Sequence, residues 1–318
     1  MTQLSPSILP ALRATPTVYA INTYRLVCPT GLRWTPGEGL CQRPAGEACA
    51  MAGCLSRLGA VPRQVQLALV KRFGDSIDRL IAPSSVMANI FAQHGWPCQH
   101  VIPHAVPAHR RRQARSDTPL VAFAGRLTQE KGAGWLLKAV AQADAALPGL
   151  RVEIIGDGPQ RQALERLSGE LGLADRVQFL GHLERMASQA RLERAWVQVV
   201  PSLWPEPFGL VAAEALARGT AVIASDSGGP REIVDHGETG LVVATGDVAA
   251  LAQALVTLTR DRALALAMGE AGQRVARERY GERAWVEAYL NVYGDMLDAR
   301  AAARAPDPSL NAQPLAQA

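Results

Sequence analysis

The feature that most limits what this chain can become is a repeated alternation between residues 116 and 260. Six short, strongly apolar runs occur there: PLVAFAGR at 119–126, LRVEIIGDGP at 150–159, RVQFLGHL at 176–183, WVQVVPS at 196–202, TAVIASD at 220–226 and GLVVATGD at 240–247. Stretches of helical character separate them, around 132–146, 160–171, 184–195, 209–218 and 229–235, and a further one follows at 248–259. A strand that is apolar on both faces needs cover on both faces, which means a parallel sheet with helices above and below. The expected class is therefore α/β, with a doubly wound domain over roughly 116–282. In such sheets a ligand sits beyond the carboxyl ends of the strands. The loops at those ends are GRLTQEKG, GDGP, GHL, SLWPEPFG and SDSGGP, and they hold almost all of the chain's unusual chemistry. That coincidence points to a phosphate-bearing ligand. Helix should continue over 262–298 with Gly breaks, followed by a low-complexity, disordered tail over 299–318.

A chain of 318 residues has room for two buried cores. The first, over 1–112, is less regular. TVYAI at 17–21 reads as a buried strand, 63–73 as a helix, DRLIAPS at 78–84 as a strand ending in a Ser84 cap, and SSVMANIFAQHG as a helix closed by Gly95. HVIPHAV at 100–106 reads as a further strand. Residues 28–62, rich in Gly, Pro and Cys, read as one long loop. Four of the five cysteines (Cys28, Cys41, Cys49 and Cys54, with Cys98 apart) lie in it. Their spacing lacks the paired C-x2-C of a zinc ribbon, so plain thiols, a metal site and a bridge all stay open. The basic run from His109 to Arg115 reads as a solvated linker. The net charge of +4 suits anionic ligands and is too small to argue for nucleic acid. With no apolar run of spanning length and no secretory leader pattern, the expected location is cytoplasmic, with peripheral contact at the inner membrane face allowed.

Two segments carry candidate site residues. In PEPFGLVAAEALARG, at 205–219, Pro207 keeps Glu206 out of the helix and Gly209 lets a ligand approach the backbone. The helix that follows offers free N–H groups and its positive dipole end to a phosphate. Glu214, eight residues after Glu206 in an otherwise apolar helix, can pair with Glu206 to accept hydrogen bonds from hydroxyls on either side of that phosphate. In GRLTQEKG, at 125–132, Arg126 and Lys131 offer two cations to neutralise a diphosphate leaving group. The turn at Gly156, Asp157, Gly158 and Pro159 is a weaker signal, since it lacks the spacing of a dinucleotide fingerprint.

At these residues the chain resembles glycosyltransferase family 4, a family of retaining GT-B enzymes. The match runs from about Asp78 to Trp285 and includes VIPHAV (101–106), FAGRLTQEKG (123–132), IIGDGP (154–159), VQFLGHL (177–183), the long segment 199–229 and EIVDHGETGLVV (232–243). The resemblance implies two Rossmann-like domains, the C-terminal one complete and the N-terminal one, on the acceptor side, partial, with a crossing helix near 283–298. It implies that Arg126, Lys131 and Glu206 form the catalytic set, with Arg126 and Lys131 on the donor diphosphate and Glu206 on the transferred sugar. It places Glu214 on the ribose and adds Gly125, Gly156, Leu180, His182, Phe208, Gly209, Leu210 and Val211 to the donor site. It implies no metal and no cofactor, a UDP- or GDP-sugar donor, a sugar or lipid-linked acceptor, and transfer with retention. The front departs from the family pattern: Asn22 and Thr23 stand where a His often precedes an acidic residue. The opening strands and Gly-rich loop of the acceptor domain are not recognised. Apolar faces and a sheet edge left uncovered there would lower solubility or favour association. The alternative is a non-catalytic or partner-dependent nucleotide-sugar-binding remnant. A relative acting on the donor itself, such as an epimerase, would need acid–base groups, for which His104 and His182 are the candidates.

Overall fold

The computed structural model describes residues 8–35, 38–108 and 115–304. Its dominant layer is a six-stranded parallel sheet. In the first part of the chain, β1 (Val18–Ala20), the hairpin strands β2 (Trp34–Thr35) and β3 (Gly39–Leu40), β4 (Arg79–Ala82) and β5 (His100–Val101) come first. Strands β6 (Leu120–Ala124), β7 (Arg151–Ile155), β8 (Val177–Gly181), β9 (Val197–Val200), β10 (Ala221–Ser225) and β11 (Gly240–Val243) then form the large sheet. Its order is β11-β10-β9-β6-β7-β8, so the winding reverses between β6 and β9. That reversal opens the crevice where doubly wound sheets take their ligands.

The strands explain the cover. Successive side chains point to opposite faces, so Ala221 and Ile223 join one core while Val222 and Ala224 join the other. The helices in chain order are α1 (Ile8–Ala11), α2 (Glu47–Met51), α3 (Arg57–Arg72), α4 (Ser85–Gln93), α5 (Ala133–Ala143), α6 (Arg161–Glu170), α7 (Arg185–Arg194), α8 (Leu210–Ala217), α9 (Pro230–Ile233), α10 (Val248–Arg260), α11 (Arg262–Arg279) and α12 (Glu282–Arg304). Helices α5 and α10 supply Leu136, Leu137, Leu251 and Leu255 to the first core. Helix α8 packs the second with Ala212, Ala213 and Leu216, facing Ala276 of α11. Each fully buried Leu contributes about 2 kcal/mol of transfer free energy.

The N-terminal sheet is smaller and also parallel, in the order β1-β4-β5. Its core gathers Tyr24, Leu80, Met87 and Phe91. Ser84 caps α4 by accepting from the Met87 N–H at 3.2 Å, as its sequence predicts. Asp247 does the same for α10, from Ala250. Helix α12 returns to the N-terminal sheet, where Val292 packs with Ile81 and Ile102, and Arg300 pairs with Asp78 at 3.0 Å. No helix among the described residues is long and apolar enough to cross a membrane.

Four expectations need correcting. Residues 28–62 are not one loop: they hold the β2–β3 hairpin, α2 and the start of α3, whose Ser56 cap bonds Gly59. Only His100 and Val101 of HVIPHAV form a strand, because Pro103 cannot donate to a ladder. The last helix runs over Glu282–Arg304, past the expected 283–298; of the tail, 305–318 lie outside the described residues. Of the basic run, residues 109–114 also lie outside them. Arg115 is half-buried rather than solvated, and donates to the Gly219 carbonyl. Burial, reinforced by Arg262 and opposed by Glu270, pushes its pKa down to about 10.

Candidate functional site

The loops after β6 and β9 flank the switch point, and they meet through glycine. Gly132 has φ +74°, and a Cβ there would lie 1.8 Å from the Pro201 carbonyl oxygen, so only glycine lets the two loops touch. This contact brings Lys131 to Glu206. The Lys131 Nζ donates to Glu206 Oε1 at 2.7 Å, and the Ser202 hydroxyl donates to the same oxygen. Glu206 is 8% exposed on its side chain and Lys131 23%, so the cation is the partner that faces outward. The Lys131 ammonium also lies 5.4 Å from the centre of the Trp204 ring. A desolvated pair of this kind is weak evidence for stability.

Pro207 and Phe208 follow, then Gly209 at φ +100°, directly before α8. A Cβ at Gly209 would meet Pro230 Cγ at 2.7 Å. Gly209 brings no side-chain cap, so helix geometry leaves the Leu210 and Val211 N–H groups for an outside acceptor. The Phe208 ring is buried edge-on against His104, 5.2 Å between centres, and Tyr280, at 5.7 Å, which fixes the entry to α8. Burial holds the His104 pKa below the ordinary imidazole value. His104 also lines a cavity of about 440 Å³ with Val106, Leu210, Glu282 and Trp285.

Helix α4 and the N-terminal core close on this site. Ser84 donates through its hydroxyl to the Pro207 carbonyl at 2.6 Å. The Glu232 carboxylate, in α9, accepts from the Ser85 and Val86 N–H groups at 2.9 and 2.6 Å, capping α4 from across the domain boundary. Trp204 packs into the N-terminal core, edge-on to Tyr24 at 6.3 Å.

The profile of the family described as "Glycosyl transferases group 1" matches residues 107–275, more than half of the chain. The chain is 32% identical over 254 residues to the lipopolysaccharide core biosynthesis glycosyltransferase LpsD of Rhizobium meliloti, covering 77% of this chain and 70% of that protein. This chain belongs to the glycosyl transferases group 1 family. It is also 38% identical over 170 residues to the exopolysaccharide phosphotransferase SCO2592 of Streptomyces coelicolor, covering 53% of this chain and 18% of that much longer protein. The chain thus spans well under two thirds of that relative. Among solved structures, Anabaena Alr3699/HepE in complex with UDP and glucose superposes with a TM-score of 0.69 at 21% identity, covering 91% of this chain and 76% of that one. The fold is GT-B, built from Rossmann-like parallel α/β layers.

The group 1 member brings together only part of the residue set singled out in its sequence. Lys131, Glu206, Phe208, Gly209 and Leu210 lie on adjoining turns. Arg126 does not touch Lys131: it is 73% exposed, and its partner is Glu130 at 3.6 Å. Glu214 is less buried than an apolar helix suggests. Its carboxylate lies 4.0 Å from Arg218, a fully buried guanidinium that donates to Gln198 at 2.6 Å. Burial lowers the Arg218 pKa to about 10 against the opposing pull of Glu214 and Glu193. Gly125 and Gly156 form the tight backbone crossing at the ends of β6 and β7. Val211 is half-buried at the start of α8. Leu180 packs its side chain into a small core with Leu120 and Ile155, and His182 is exposed beside it. Sequence reading missed Ser202, Trp204 and Glu232. All three stand inside segments matched to the family, which was the one signal that could have marked them.

Proposed function

We propose that this chain is a glycosyltransferase that takes a sugar from a nucleotide-sugar donor and passes it to a sugar or lipid-linked acceptor with retention, as a family 4 type enzyme. The observation that carries this reading is the 2.7 Å Lys131–Glu206 pair at the sheet's switch point, one short turn from the uncapped start of α8. Cation and helix tip offer positive potential to a diphosphate, while the carboxylate beside them suits sugar hydroxyls. In this reading Arg126 swings from Glu130 onto the diphosphate, and Glu214 accepts the ribose hydroxyls. Gly125, Gly156, Leu180, His182, Phe208, Leu210 and Val211 line the donor. Leaving-group charge is met by Lys131, Arg126 and the α8 N–H groups, so that departure and attack occur on one face of the sugar. Residues 116–282 form the donor-binding domain, 1–112 the acceptor side. The reading places the enzyme in the cytoplasm or against the inner face of the membrane, and lets it associate through its N-terminal part.

The test is turnover of UDP- and GDP-sugars carrying a label at the anomeric carbon, with the product's anomeric configuration read by NMR. Transfer with the donor's configuration kept is the expected result. Binding without turnover, with every acceptor class tried, would instead make the chain a nucleotide-sugar-binding module. An inverted product would remove retention.

A further inference from the structure

Residues 38–56, between the hairpin and α3, bury no side chain fully. Helix α2 buries no residue, and the β2–β3 hairpin has two residues per strand. What converges there instead is sulfur. Cys28, Cys41, Cys49 and Cys54 all line a single cavity of about 10 Å³, room for one small ion or one water.

The four thiols arrive as two pairs. The Cys28 turn is tied to the hairpin, because the Cys41 N–H donates to the Arg33 carbonyl at 2.8 Å. Cys49 and Cys54 sit at either end of one turn, with the Cys54 N–H donating to the Cys49 carbonyl at 3.0 Å. The surroundings of Cys28 favour negative sulfur. The Arg33 N–H donates to Cys28 Sγ at 3.4 Å, and Thr30 Oγ1 lies 3.2 Å from the same atom. Arg43 lines the cavity, and the Arg33 Nε and Trp34 Nε1 donors are buried nearby without a partner. Arg33 also holds φ +53°, the one left-handed non-glycine conformation among the described residues. Strain of that kind persists where the surroundings demand it, and functional sites are where it gathers.

We propose that Cys28, Cys41, Cys49 and Cys54 bind one zinc ion as a tetrathiolate site that staples residues 28–54. Four S–H protons pass to solvent and four Zn–S bonds form, giving a dianionic centre that the surrounding guanidinium and N–H donors suit. No group of three or more His, Cys, Asp or Glu side chains among the described residues stands ready to hold an ion. Binding therefore requires the four thiols to turn inward about their Cα–Cβ bonds. The centre is structural and separate from the Lys131–Glu206 site.

The experiment is elemental analysis of the full chain purified without chelator, paired with thiol titration before and after zinc is removed. One zinc per chain is expected, with four thiols protected until removal and Cys98 outside the set. Cys98→Ser should keep its zinc, while Cys49→Ser should lose at least about tenfold in occupancy. Because Cys49→Ser can fail by misfolding, the wild-type chain is also stripped by chelation and retitrated with zinc alone. Its melting temperature should fall on stripping and return on retitration. Five reactive thiols without metal, a mass showing disulfides, or iron in place of zinc would overturn the assignment.

Discussion

The two sheets of this molecule are held in different ways. In the six-stranded sheet most strand residues are buried, including Leu120 through Phe123 in β6 and all of β9 and β10. Its stability is spread over a large apolar area on both faces, and the loops at its switch point can carry cations and a buried carboxylate without threatening the fold. The three-stranded sheet has a smaller core and relies on individual devices: the Ser84 cap, the Glu232 carboxylate at the start of α4 and the Arg300–Asp78 pair. Distributed burial tolerates unusual chemistry at its rim. A structure held by single contacts does not.

Substitutions can break or sharpen that contrast. The largest effect is expected from Leu136→Ala in the main core, a loss of about 3 kcal/mol in urea unfolding. Val65→Ala on the exposed face of α3 should change stability by less than about 0.5 kcal/mol. Next comes Gly209→Ala. A left-handed residue gains a Cβ against Pro230, so about 2 kcal/mol of stability should go, and donor binding measured by calorimetry should go with it. Ser84→Ala removes a cap and the link to Pro207. It should cost about 1 kcal/mol, and hydrogen exchange should show the loss concentrated in α4 rather than in β6 or β9.

The smallest effect is one of pH. Burial lowers the His104 pKa in the folded chain, so between the folded and the ordinary value the unfolded chain binds more protons. His104's contribution is present above the ordinary pKa near 6.5 and is lost as pH falls through the lowered folded value. Unfolding midpoints should therefore drop on acidification below about pH 6.5, and His104→Asn should flatten that slope. An unchanged slope would place the titration elsewhere.

Much of this was legible in the residues, for physical reasons that can be named. Strands apolar on both faces, such as VIAS in β10, leave few alternatives to a covered parallel sheet. The caps at Ser84 and Asp247 depend only on local chain geometry. What escaped depends on distance along the chain. The β2–β3 hairpin is too short to show a period. Arg115 looks like linker charge until the Gly219 carbonyl, 104 residues on, accepts from it. Glu232 caps a helix 146 residues earlier, and no local pattern marks such a pairing. Within the candidate site, the spacing that singled out Arg126 and Lys131 could not show that Glu130 holds the first and Glu206 the second.

In the proposed function, Lys131, Glu206 and the start of α8 form one diphosphate-sugar cradle. Isothermal titration of UDP- and GDP-sugars into the wild-type chain and into Lys131→Ala tests it most directly, with unfolding curves run alongside. One donor should bind the wild type, and the variant should bind it about 10–100-fold more weakly while remaining folded. Equal affinity in a folded Lys131→Ala variant would contradict the account.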